Sequence, residues 1–104
     1  MQRHAFKMKL KPGVVAEYRR RHDAIWPELV QALRDAGISD YSIFLDEETL
    51  TLFAVQKSTD SHACASLPQH SIMRKWWDYM SPLMEVRADN APVETVLTEV
   101  FHLD

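Results

Sequence analysis

A single cysteine, Cys64, stands in a chain of 104 residues, so no intrachain disulfide can form and a reducing compartment is expected. Glycine is nearly as scarce. With only Gly13 and Gly37 there can be no glycine-rich loop of the kind that cradles phosphates. Basic charge is also short: twelve Lys and Arg against fifteen Asp and Glu leave a net charge of -3. A general nucleic-acid binder needs a clustered positive surface, and this balance argues against one. The one basic run, Arg19-Arg20-Arg21, fans around a helix axis and reads as a solvated face. No apolar run approaches the length of a bilayer span, and Met1 to Lys9 lacks the continuous apolar core of a signal peptide. A cytoplasmic protein is expected, with neither nucleic acid nor membrane as partner.

What the chain does contain is an ordinary globular composition, 46% hydrophobic and 26% charged, enough to bury a core in one domain spanning 1–104. Alternation of Phe6, Met8 and Leu10 with Lys7 and Lys9 predicts a first strand over 3–11, stopped by Pro12-Gly13. A helix is predicted from Val14 to Asp23. Pro27 suits the first turn of a second helix, Pro27 to Ala36, with Leu29, Val30 and Leu33 inward and Gly37 as its stop. Tyr41–Leu45 and Leu50–Lys57 read as a hairpin joined at Asp46-Glu47-Glu48-Thr49. A short helical piece near Asp60–Ser66, ending before Pro68, precedes a longer helix from Gln69 to Met80. After a loop at 87–92, Thr95 to Leu103 alternates as a last strand.

That order, β-α-β-β-α-β, is the ferredoxin-like arrangement: an α+β fold with a four-stranded antiparallel sheet and helices on one face. Several strands are apolar on both faces, with Leu50, Leu52 and Ala54 opposed by Phe53 and Val55, and Ile43 by Phe44. Two helical layers cover only one face, and the other would expose more apolar surface than soluble monomers usually show. A homodimer of the dimeric α/β-barrel type, packed through the sheet face, is therefore expected.

Candidate chemistry concentrates in Glu17-Tyr18-Arg19-Arg20-Arg21-His22-Asp23-Ala24-Ile25-Trp26-Pro27-Glu28. Tyr18 and His22 are one helical turn apart on the stripe that holds Val14 and Ile25, so a polar pair points inward. Imidazole is the side chain best suited to exchange protons near neutrality, although a hydrogen-bonded core histidine is the bland alternative. Trp76 and Trp77 lie on or beside the apolar stripe of the later helix with Ile72, Met73 and Met80. Core packing explains them by default, yet two adjacent indoles also make a platform for the C–H face of a sugar. Tyr41 shares a sheet face with Ile43 and Leu45. His62-Ala63-Cys64 completes no zinc set, and His4, His70 and His102 show no ligand spacing, so no metal or cofactor is indicated. Cys64 reads as a small buried hydrophobe.

The blocks Glu17-Tyr18-x-x-Arg21-His22-x-x-Ile25-Trp26-Pro27-Glu28-Leu29, Tyr41-Ser42-Ile43-Phe44-Leu45-Asp46, Trp76-Trp77-x-Tyr79-Met80 and Asp89-Asn90-x-Pro92 closely resemble the L-rhamnose mutarotase family. The resemblance runs from the first strand to Val100-Phe101. It implies a dimeric, cofactor-free ferredoxin-like enzyme that interconverts the α and β anomers of L-rhamnose in a cytoplasmic rhamnose-utilisation pathway. It also implies roles for residues: His22 as proton donor, and Tyr18, Tyr41, Trp76 and Trp77 as sugar-binding groups. Met84 to Ala88, and Ala91, depart from the family pattern. On this reading His22 protonates the ring oxygen, while a second group or a water takes the anomeric proton. The same fold also serves small cofactor-free or haem-degrading monooxygenases and non-catalytic ligand-binding dimer modules, and these are the rival readings.

Overall fold

The computed structural model describes residues 2–59 and 64–104. Its elements are β1 (Gln2–Lys9), α1 (Val15–Asp23), α2 (Pro27–Asp35), β2 (Ile38–Asp46), β3 (Thr51–Ser58), α3 (Ser71–Met80) and β4 (Thr95–Leu97), with 3₁₀ turns at Cys64–Gln69 and Ser81–Leu83. The sheet order is β2-β3-β1-β4 with every pairing antiparallel, as a ferredoxin-like fold requires.

Strand register decides which side chains meet the helices. Met8 pairs with Leu52 and Phe6 with Ala54, and Ile43 and Leu45 of β2 continue these rows across β3. Successive strand residues face opposite ways, so this set forms the inner face. There Met8, Leu52 and Ala54 are buried against Tyr18, Leu29, Trp76 and Met80 from the three helices. Ala54 is fully buried, and its small side chain lets the helical layer approach the middle of the sheet. The opposite face carries Phe44 paired with Phe53, and Val55 paired with Ala5. Phe44 is 62% exposed, and Phe53 and Val55 remain more than a third exposed.

The break between α1 and α2 falls at the expected dipeptide. Ala24 and Ile25 hydrogen-bond back to Arg20 and His22, Trp26 is extended, and Pro27 occupies the first turn of α2. A proline there removes only an N–H that would have no helical partner. Gly37, at φ +89°, lets the chain reverse directly into β2.

The largest departures from expectation fall at β2, at the segment leading into α3, and at the last strand. β2 starts at Ile38 instead of Tyr41, because the pairing with β3 continues through a register shift between Ser39 and Ser42, where Asp40 takes a positive φ of 49°. Polar Ser39 and Asp40 hid this extension from the alternation. The helical piece before α3 is a 3₁₀ turn that includes Pro68, and α3 begins at Ser71 with His70 accepting the Ile72 N–H through its side chain. The expected start of that piece at residues 60–63 lies outside the described residues. The last strand is three residues long, and 98–104 form no ladder in this chain. Alternation there is real, but only Ala5 to Lys7 of β1 pair with β4. A strand pattern without a neighbour to bond makes no strand.

Candidate active site

Tyr18, His22, Tyr41 and Trp76 line one cleft of ≈ 790 Å³ between the helices and the inner face of the sheet, a volume that accommodates a monosaccharide. Tyr18 and His22 project from the same side of α1, with ring centroids 4.3 Å apart. The His22 ring meets Trp76 of α3 edge-on, at 5.4 Å and 88°. Tyr41 enters from β2 and meets Phe6 in an edge-on arrangement, with ring centroids 6.5 Å apart. Trp77 is half-buried and packs on the core, and it is not part of the cleft wall. The structure thus gathers four of the five candidate residues.

The hydrogen bond of His22 fixes its chemistry. Nδ1 lies 3.1 Å from the Tyr18 carbonyl oxygen, one turn back. A carbonyl only accepts, so Nδ1–H is the donor, and in the neutral ring the lone pair sits on Nε2. Burial holds the imidazole below its ordinary value of 6.5, partly offset by that hydrogen bond and by the Asp23 carboxylate. His22 is therefore neutral at pH 7, with Nε2 as a base. Burial pushes the Tyr18 phenol upward, with Tyr41 adding to it, and the Tyr41 phenol is raised by burial and by the Glu94 carboxylate. Both phenols keep their protons and serve as hydrogen-bond donors. Glu94 is itself raised, chiefly by burial, with Arg87 acting in the opposite direction.

Several side chains behind the cleft were not singled out from the sequence. Trp26 stacks on Tyr79 at 5.3 Å and 29° and meets Trp76 edge-on at 5.1 Å and 85°. The arginine run divides its work: Arg19 lies on the cleft wall, Arg20 pairs with Glu17, and Arg21 bonds both Glu17 and the Tyr79 carbonyl. Only the spacings of Glu17 to Arg20 and Arg21 signal any of this beforehand. Elsewhere, His4 hydrogen-bonds Ser58 and His102 pairs with Asp104. Among the described residues no three or more His, Cys, Asp or Glu side chains gather where they could hold a metal. His62 and the Cys64 thiol fall outside what the structure describes.

With this geometry in view, comparison with known proteins is decisive. A family profile described as L-rhamnose mutarotase matches residues 3–103. The chain belongs to the L-rhamnose mutarotase family. It is 60% identical to an L-rhamnose mutarotase of Sinorhizobium fredii and 58% identical to one of Rhizobium meliloti, each over 103 residues, covering 99% of both chains. The crystal structure of L-rhamnose mutarotase from Formosa agariphila superposes with a TM-score of 0.94 at 50% identity, covering all of both chains. As a family member the protein is an isomerase of the racemase and epimerase class acting on carbohydrates. The monooxygenase and binding-module readings are set aside on the same ground.

Proposed function

We propose that the protein interconverts the α and β anomers of L-rhamnose, with His22 moving the proton. The observation that carries this is the Nδ1–H to Tyr18 carbonyl bond, which leaves a basic Nε2 on a half-buried, neutral imidazole lining a monosaccharide-sized cleft. Ring opening takes a proton from the anomeric hydroxyl, places one on the ring oxygen and breaks the bond between that oxygen and C1. Both oxygens are bonded to C1, so one imidazole can serve each in turn. Neutral His22 accepts the anomeric proton at Nε2, and the imidazolium so formed is the donor to the ring oxygen. Rotation about C1–C2 and the reverse transfers close the other anomer. A separate acceptor is not needed. A single positioned acid–base group of this kind contributes about 10²–10⁴-fold.

Tyr18 and Tyr41, both protonated, donate to sugar hydroxyls, and the Trp76 indole supplies a flat surface for the C–H face and the C6 methyl. The family resemblance assigns sugar binding to Trp77 as well. In the single chain it is half-buried against the core and stands outside the cleft wall. Loss of a methyl contact is worth about 1–3 kcal/mol, so related sugars should be disfavoured without being excluded.

The active form on this reading is a homodimer joined through the outer sheet face. Phe44, Phe53 and Val55 form an apolar patch there, and Val100, Phe101 and Leu103 add exposed apolar side chains from the C-terminal segment. A second copy removes these from water. No helix among the described residues is long and apolar enough to cross a membrane, and we infer that the protein acts in the cytoplasm. The test is NMR magnetisation exchange between the anomeric protons of L-rhamnose: faster exchange on adding protein supports the reading, and a rate equal to the buffer blank refutes it.

A further inference from the structure

The Arg21 guanidinium lies over the Tyr79 ring, its central carbon 4.1 Å from the ring centroid. It also donates from Nε to Glu17 Oε2 at 2.6 Å and from Nη1 to the Tyr79 main-chain carbonyl. One side chain thus binds a carboxylate on its own helix, a carbonyl in the last turn of α3, and an aromatic face. The planar fork of arginine can do all three, whereas the point charge of lysine cannot. A cation is also favoured at the carbonyl end of a helix. The Arg21 side chain is only 17% exposed, unlike Arg20 at 63%, so this is not a solvated surface pair.

Beyond Tyr79 the contacts close into a ring. Tyr79 stacks on Trp26, Trp26 meets the edge of Trp76, and Trp76 meets the edge of the His22 ring. His22 is the next residue to Arg21. The C-terminal turn of α1 is thereby held at two points on α3, one polar and one aromatic, with the Trp26-Pro27 break passing between them. A turn at a helix end otherwise frays, and here such fraying would carry the imidazole away from the indole.

We propose that Arg21 is a positioning residue for His22: its clamp on Tyr79 locks the last turn of α1 to α3 and so fixes where the imidazole sits in the cleft. The proposal deepens the mutarotase reading and rests on it for the kinetic consequence alone. The groups around the imidazole are Tyr18 and Asp23 on its own helix, Trp76 on α3 and Tyr41 of β2, with Arg19, Arg34, Asp40 and Glu47 also on the cleft wall. None of them is altered in the variants below.

The experiment follows the His22 imidazole titration by NMR in ligand-free protein, together with kcat and KM for anomer exchange, in wild type, Arg21→Lys, Tyr79→Leu and Tyr79→Phe. Arg21→Lys keeps the charge and loses the fork, while Tyr79→Leu keeps the carbonyl and loses the ring. Both are expected to move the His22 titration toward its ordinary value and to lower kcat about tenfold or more with little change in KM, since small misplacements of a catalytic group are costly. Tyr79→Phe, which retains the ring, is expected to keep the wild-type titration. An unshifted His22 titration in either Arg21→Lys or Tyr79→Leu overturns the proposal, whatever happens to thermal stability. Tyr79→Leu spares both Arg21 hydrogen bonds, so it stays informative where Arg21→Lys proves unstable. The titration needs no sugar, so it reads the clamp even if the protein exchanges no rhamnose anomers.

Discussion

At the scale of single residues, the candidate site holds a histidine kept neutral by partial burial and oriented by a backbone carbonyl. The sign of the pH dependence follows. In the proposed mechanism His22 works first as a base, so catalysed exchange should fall as pH drops through its depressed value and reach a plateau toward neutrality. A rate that rises on acidification, after subtraction of the blank, would show that the imidazolium acts first. The Tyr18 and His22 pair was legible in the sequence because helical neighbours four apart must share a face. Trp76 was legible as an apolar-stripe residue, but not its edge-on contact with His22, which arises between residues 54 positions apart. Arg21 was misjudged as part of a solvated face. Its partner Tyr79 comes from another helix, and no local pattern announces such a contact.

At the scale of elements, the fold was readable wherever periodicity and breakers agreed. Pro12-Gly13, Trp26-Pro27 and Gly37 each end an element where the structure ends one. The errors lie where hydrogen-bonding partners decide the outcome and side-chain pattern does not. β2 extends through polar Ser39 and Asp40 because β3 supplies partners, while the pattern over 98–103 has none in this chain. α2 is tied to the sheet chiefly by Leu29, which is almost fully buried. Leu29→Ala should destabilise the protein by about 2–5 kcal/mol. Urea denaturation should show a lower midpoint with an unchanged slope; a loss under 1 kcal/mol would mean that α2 is held by other contacts. Glu17 acts at the same scale. Its hydrogen bonds from Arg20 and Arg21 hold the carboxyl at about 2, against an ordinary 4.5. This interaction is fully present above the ordinary value and is lost only as pH falls through about 2, so Arg21 keeps its carboxylate partner at neutral pH.

For the whole molecule, two faces of one sheet have different tasks. The inner face floors a cleft, and the outer face carries paired Phe44 and Phe53 open to water. The two-sided apolar pattern of β2 and β3 made this visible in the sequence, since one layer of helices covers one face only. Burying a phenylalanine side chain is worth about 1.5–3 kcal/mol, and symmetry doubles each contribution at a twofold interface. Phe53→Asp should therefore yield a folded monomer by sedimentation equilibrium at micromolar concentration, where the proposed assembly predicts a dimer for the unaltered protein. A monomeric unaltered protein would refute the dimer.

The most direct test of the account is NMR magnetisation exchange between the α and β anomeric protons of L-rhamnose, with the unaltered protein and with His22→Ala. The account predicts rapid exchange with the first and a fall of about 10²–10⁴-fold toward the blank with the second, in a variant that still binds the sugar. Exchange by His22→Ala at the unaltered rate would contradict it.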